Sequence, residues 1–375
     1  MQGLPGELQR RSQRTALRAL TLVLVIALVT AVLVFSHGFG LLLSVLSLAD
    51  LGLLIQLALA FVLLLIPTAG IYSLFTQFAF WEGWLQGLPQ PVDLFAGGSS
   101  NDCLDVPSVK PRRYVIYLDG IHQVEREHPP RISDFLQDLE QRLPADTRLL
   151  RGLETYTVMP VALIDEAGSA WFWRRVFALQ EHHRNWLVQL ICAVLVQGNN
   201  VIKVGISSDR RYGPILNYEL SLKIAMRLAE IGYSPGVEIV LLGYSGGAEM
   251  AMGVADYLRR ICRAPIRIVS CCGVFSGNQI LNNVDQIHMI VGTRDPVAAL
   301  GQVAYPGRSP LLPLSNWNKV CLQGLVEQSL IPGMSHNGST GPFALVNREQ
   351  VIGAIVGSFI DTGNLVPASS AGSFP

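Results

Sequence analysis

Charged side chains are scarce in this sequence. Lys, Arg, Asp and Glu make up 15% of its 375 residues, against 50% hydrophobic residues. So little charge over so much apolar surface points to membrane segments beside a globular domain. The charge present cancels, 28 basic against 28 acidic residues. No basic excess is available to neutralise a phosphate backbone, so nucleic acid is not expected as a partner. Cysteine is thin as well. The six thiols, Cys103, Cys192, Cys262, Cys271, Cys272 and Cys321, contain no C-x-x-C pair. That excludes zinc-ribbon spacing and a small disulfide scaffold, and it fits a reducing compartment. No internal repeat is apparent, which excludes solenoids and propellers.

Long apolar runs are present in compensation. Residues 19–35 are almost wholly apolar, and seventeen helical residues reach roughly 26 Å, the thickness of a thin hydrocarbon core. A second run spans 51–72, with Gln56 as its main polar interruption. His37, Gly38, Gly40 and Asp50 mark the connection between them. The expectation is an N-terminal membrane anchor over 1–80 with two transmembrane helices. A cleaved leader also starts basic, but here a second apolar run follows at once. A buried hairpin of a soluble protein is expected to be shorter and more charged.

Arg10, Arg11, Arg14 and Arg18 precede the first run, and the hairpin loop carries no Lys or Arg. The positive-inside rule then puts the N-terminus in the cytoplasm, and two crossings return the chain there. The expected location is a bacterial inner membrane with the large domain cytoplasmic. Trp81 and Trp84 are placed to sit at the interface. If only one run crosses, the large domain changes sides.

Residues 81–112 read as a linker, rich in Pro, Gly, Ser and Asp. From 113 to 360, short β-branched runs alternate with helical patterns, the signature of an α/β fold with a mostly parallel sheet and flanking helices. Strands are expected at 114–118, 201–206, 238–242, 266–271 and 286–291, with a weaker one at 318–322. Helices are expected at 131–142, 214–231, 246–260 and 347–360. The stretch 171–197 looks helical without a partner strand, and a helical cap is expected around 160–200. Residues 361–375 form a small, polar tail expected to be flexible.

In open parallel sheets, ligands bind outside the carboxyl ends of the strands. One such position reads Gly243-Tyr244-Ser245-Gly246-Gly247, a match to G-x-S-x-G. Composition alone predicts roughly 0.2 such matches in the chain. The flanks raise the signal: Val237 to Leu242 reads as a buried strand and Gly246 to Met252 as a helix start. A strand–turn–helix holds the serine in a tight turn whose glycines remove clashing Cβ atoms. The Ser245 hydroxyl then stands over the sheet, where the Gly246 amide can donate to an oxyanion. The bland alternative is a glycine-rich turn with an idle serine.

A serine hydroxyl needs a base. His37 belongs to the anchor, His182 and His183 to the cap, and His288 to a strand. His336 lies in a late loop and is the one histidine downstream of Asp295. Asp295 follows the strand 286–291 and is placed to fix the imidazole tautomer. Its alternative role is a turn residue before Pro296. Asp285 is the reserve acid, at the wrong end of its strand. Asn337-Gly338-Ser339 matches a glycosylation acceptor, but a glycan there would block the base.

A second oxyanion donor is expected from Gly120 or Ile121, after the first strand. Arg210 and Arg211, expected after a strand at 201–206, are candidates to bind a carboxylate or phosphate of a substrate. A solvated loop in which Asp209 caps the next helix is the other reading. Trp171, Trp173 and Phe177 form either an apolar lid or helix packing.

The serine turn, the late aspartate and the final histidine together resemble the α/β-hydrolase superfamily over about 113–360. The stretch Ser208-Asp209-Arg210-Arg211-Tyr212-Gly213-Pro214, following two N-terminal spans, is similar to uncharacterised membrane proteins of cyanobacteria. The superfamily resemblance implies a mostly parallel sheet and hydrolysis without metal or organic cofactor. The expected activity is that of a serine hydrolase on a small-molecule or lipid ester or thioester. An acyltransferase with the same residues, or a catalytically silent binding domain on the same fold, are the alternatives. The oligomeric state is not legible.

Overall fold

The computed structural model describes residues 111–123, 128–156 and 171–359. The expected membrane hairpin, the linker up to residue 110, the stretch 157–170 and the tail 361–375 lie outside the described residues.

Six strands form one sheet: β1 (Arg113–Leu118), β2 (Thr147–Leu150), β3 (Glu238–Tyr244), β4 (Ile266–Cys271), β5 (Gln286–Arg294) and β6 (Val326–Ser335). Their spatial order is β2-β1-β3-β4-β5-β6, and every neighbouring pair is parallel. Around them lie α1 (Pro130–Arg142), α2 (Trp171–His182), α3 (Trp186–Ser208), α4 (Gly213–Glu230), α5 (Gly247–Cys262), α6 (Pro296–Ala304), α7 (Asn316–Leu322) and α8 (Leu345–Gly357). This is the α/β class.

A parallel sheet covered on both faces needs strands that are apolar on both faces. β3 meets that demand, since every residue after Glu238 is buried. Ile239 and Leu241 join a core with Leu220 and Ile224 of α4 and Met250 and Val254 of α5. Val240 and Leu242 face the other way, toward Phe135 and Leu139 of α1 and Val351 and Ile355 of α8. Helix α1 buries Ile132, Phe135, Leu136 and Leu139, a spacing of three and four that makes one helical stripe.

From β1 the chain moves outward to β2, and from β3 it moves the opposite way to β4. The crevice outside the carboxyl ends of β1 and β3 is therefore the topological switch point, where such sheets take ligands. Leu118 and Gly243 are paired in register, so the loops after these strands leave the sheet side by side.

Two expected strands are helices. Residues 201–206 lie inside α3. The β-branched Val201, Ile202, Val204 and Ile206 read as a strand, but the buried positions Cys192, Val196, Asn199, Lys203 and Ser207 recur at helical spacing. Asn185 caps this helix by accepting from the Leu187 amide at 2.9 Å. Residues 318–322 lie in α7, where Ser315 accepts from the Asn318 amide at 3.1 Å.

Two strands escaped the sequence reading, and both are sheet edges. β2 has four residues, and β6 carries Glu327, Gln328, Ser329 and Pro332 on largely exposed backbone. Edge strands need no continuous apolar run, and they tolerate proline.

Among the described residues, α3 alone is long and apolar enough to cross a membrane. Its buried face mixes apolar Cys192, Leu195, Val196 and Val204 with polar Asn199, Asn200, Lys203 and Ser207, and is tied to the domain. Asn200 Nδ2 donates to the Ile121 and Gln123 carbonyls at 2.8 and 3.0 Å, and Ser207 Oγ to Asn217 Oδ1 at 2.7 Å.

Candidate active site

Ser245 occupies the turn between β3 and α5 with φ of 52°. A side chain in left-handed backbone costs on the order of 1–3 kcal/mol and persists only where its surroundings enforce it. Here three backbone bonds do so. The Ser245 amide donates to the Cys271 carbonyl at 3.1 Å, and the Ser245 carbonyl accepts from Val274 at 3.0 Å and Ala248 at 3.1 Å. The flanking glycines are sterically required. A Cβ on Gly243 would stand 2.6 Å from the Gly247 carbonyl oxygen, and one on Gly247 would stand 2.3 Å from that of Leu118.

Ser245, His336 and Asp295 come together. Ser245 Oγ lies 2.9 Å from His336 Nε2, and His336 Nδ1 lies 3.0 Å from both oxygens of Asp295. The Asp295 carboxylate follows β5 and also accepts from the Val297 and Ala298 amides at 3.0 and 2.9 Å, capping α6. One carboxylate thus caps α6 and also meets His336 Nδ1. Burial by itself would raise the Asp295 carboxyl, but the bonds from His336 and Ala298 together hold it below the ordinary carboxylate range. With Asp295 ionised, Nδ1 carries the proton and Nε2 offers its lone pair to the serine. Tyr244 steadies the ring: it stacks on His336 at 5.7 Å and its hydroxyl donates to the His336 carbonyl at 2.8 Å.

The loop after β1 borders the serine. A Cβ on Gly120 would stand 3.4 Å from Ser245 Cβ, and one on Gly246 would stand 3.2 Å from Ile121 Cγ2. The two expected donors of this loop behave differently. The Gly120 amide donates to Asp119 Oδ1 at 2.7 Å. The amides of Ile121 and Gly246 have no acceptor among the described residues, which leaves both for an incoming oxyanion.

Sequence reasoning overlooked what fixes this loop. Asp119 is 2% exposed. Its Oδ1 also accepts from the Tyr117 hydroxyl at 3.0 Å, and its Oδ2 meets His128 Nδ1 at 2.8 Å. His128 Nε2 accepts from the Gly152 amide at 3.2 Å. That bond requires an unprotonated Nε2, so Nδ1 carries the hydrogen given to Asp119. The backbone of Asp119 is held by the Thr155 hydroxyl at 3.0 Å and the Tyr156 hydroxyl at 2.9 Å. Asn200 holds the far side through Ile121 and Gln123. A buried aspartate directly after a buried strand is a legible signal; His128, nine residues on, is not.

Arg210 and Arg211 are exposed, after a helix instead of a strand, and pair with no acid among the described residues. Asp209 Oδ1 accepts from the Arg211 and Tyr212 amides at 2.7 and 3.0 Å, the capping-type turn. Asp285 precedes β5 and meets Arg259 at 2.7 Å, far from the serine end of the sheet. His288 Nε2 lies 2.9 Å from Ser329 Oγ within the sheet. His37 and the side chains of Trp171, Trp173 and Phe177 lie outside the described residues. No protein-family model matches this chain, and no curated protein matches it.

Proposed function

We propose that this chain is a membrane-anchored serine hydrolase of the α/β-hydrolase superfamily, cleaving an ester or thioester through an acyl-enzyme. The observation that carries the reading is one continuous relay: Ser245 Oγ 2.9 Å from His336 Nε2, with His336 Nδ1 3.0 Å from Asp295. It supports the following steps. Ser245 Oγ attacks the acyl carbon while His336 Nε2 takes the hydroxyl proton. Asp295 stabilises the imidazolium and remains ionised. The Gly246 and Ile121 amides receive the oxyanion. His336 returns its proton to the departing alcohol or thiol, and water repeats the sequence on the acyl-serine.

Membrane anchoring rests on the apolar runs at 19–35 and 51–72, and the basic residues before them favour a cytoplasmic domain; the membrane proposed is a bacterial inner membrane. An anchored hydrolase suits a lipid or acylated substrate. Arg210 and Arg211 remain proposed contacts for an anionic group of that substrate.

Hydrolysis of ester and thioester panels of graded chain length, wild type against Ser245→Ala, tests the reading. Turnover that vanishes in the variant supports it. Turnover equal in both removes it. Transfer to an added alcohol that outpaces hydrolysis would make the chain an acyltransferase instead.

A further inference from the structure

Cys272 is the first residue after β4, fully buried, with φ of 48° and its amide bonded to the Ile290 carbonyl at 2.8 Å. Its thiol takes no proton in the relay proposed above, but it hydrogen-bonds the Asp295 carboxylate and helps to keep it ionised. Yet its sulfur, an Asp295 carboxylate oxygen and a His336 imidazole nitrogen all lie within 4.8 Å of one another. Sulfur, oxygen and nitrogen are all donors that zinc takes, and three protein ligands leave it an open fourth position.

We infer that Cys272, Asp295 and His336 form a latent site for a thiophilic divalent cation, Zn²⁺ foremost, whose binding switches the serine off. Tetrahedral zinc with bonds of about 2.0–2.3 Å sets its ligands roughly 3.3–3.8 Å apart. Asp295 and His336 already stand 3.0 Å apart, so shifts of about an ångström complete the triangle. The Asp295 side chain is fully buried and that of His336 is 16% exposed, so the cation enters past the imidazole. Hard cations such as Mg²⁺ and Ca²⁺ gain nothing from the sulfur.

The proton balance explains the inhibition. Forming the zinc–sulfur bond releases the thiol proton to solvent. Forming the zinc–nitrogen bond takes Nδ1 of His336, the nitrogen turned to Asp295, and the imidazole proton moves to Nε2. The carboxylate is already ionised. One proton leaves per metal bound, and the bound group of Zn²⁺, thiolate, carboxylate and neutral imidazole has no net charge. Nε2–H has no lone pair left for the Ser245 hydroxyl, so the base is lost.

The inhibitory consequence rests on the hydrolase reading; the binding itself does not, and Co²⁺ titration of the full-length chain measures binding alone. Wild type is expected to gain one thiolate-to-cobalt charge-transfer band, displaced by Zn²⁺, that Cys272→Ser abolishes and Cys321→Ser, altering an exposed thiol, keeps. A missing band in wild type, or one that survives Cys272→Ser, overturns the site. Should Cys272→Ser fail to fold, His336→Ala reads the same site: the sulfur band stays but affinity falls by at least about tenfold. Unchanged affinity there overturns it. In parallel, Zn²⁺ should suppress fluorophosphonate labelling of Ser245, and a chelator should restore it. Cobalt bound through Cys272 in a protein that is never labelled keeps the metal site and removes the hydrolase reading. Labelling equal with and without Zn²⁺ removes the switch.

Discussion

His128 Nδ1 stands 2.8 Å from Asp119 Oδ2, both side chains being almost wholly buried. The pair locks the residue whose carboxylate holds the Gly120 amide, just before the candidate oxyanion amide of Ile121. Asp119→Ala removes the acceptor for the Gly120 amide and frees that loop to turn. The expected outcome is a fall in kcat of about 10- to 100-fold with little change in KM. Steady-state kinetics on the best ester of the panel checks this. A loss carried by KM would make the loop a binding element.

Asn200 reaches the same loop from α3 through the Ile121 and Gln123 carbonyls. Asn200→Ala leaves a buried and a partly buried carbonyl without that donor, a cost of about 1–3 kcal/mol in stability. Urea unfolding measures it. The variant is also expected to lower kcat, because the Ile121 amide shares a loop with the carbonyl that Asn200 holds.

The glycines around Ser245 give a contrast within one chain. Gly247→Ala would force a Cβ to within 2.3 Å of backbone oxygen, whereas Gly353 in α8 has nothing within 4 Å. Gly247→Ala is expected to lower stability by at least about 2 kcal/mol. Gly353→Ala is expected to raise it by about 0.5–1 kcal/mol through helix propensity. Equal effects would contradict the tight turn.

Lys203 is fully buried, and its Nζ has no hydrogen-bond partner among the described residues. Burial lowers its pKa from 10.5 to about 8. The folded pKa lies below the unfolded one, so folding disfavours the charged form. That penalty is complete below about pH 8 and fades as pH rises toward about 10.4. Lys203→Met removes the buried ammonium but also the positive charge that supports buried Glu219, so the gain in stability at pH 7 is expected to fall short of about 3 kcal/mol and to shrink toward pH 10. Urea midpoints of both proteins across pH 7–10 decide it, and a gain independent of pH would contradict it.

The sequence carried the centre of the sheet better than its edges. β1, β3, β4 and β5 are buried on both faces, so their apolar runs stood out. β2 and β6 are edges, free to be short or polar. The apolar run in α3 looked like a strand because β-branched residues dominate it. Its helical nature lies in the spacing of buried Asn199, Lys203 and Ser207, polar residues that an apolar pattern skips. The same blindness hid the support of the candidate site. Ser245, Asp295 and His336 were legible from chain order and from strand ends. Asp119, His128, Asn200 and Cys272 act through contacts between segments distant in sequence, which no local motif records.

Ser245 is proposed as an activated nucleophile. Intact-mass analysis of the full-length chain after fluorophosphonate treatment tests it most directly. A single adduct on Ser245 is expected, absent in Ser245→Ala and formed at least about 10³-fold more slowly in His336→Ala. No adduct on the folded wild type, or labelling undiminished in Ser245→Ala, would contradict the account.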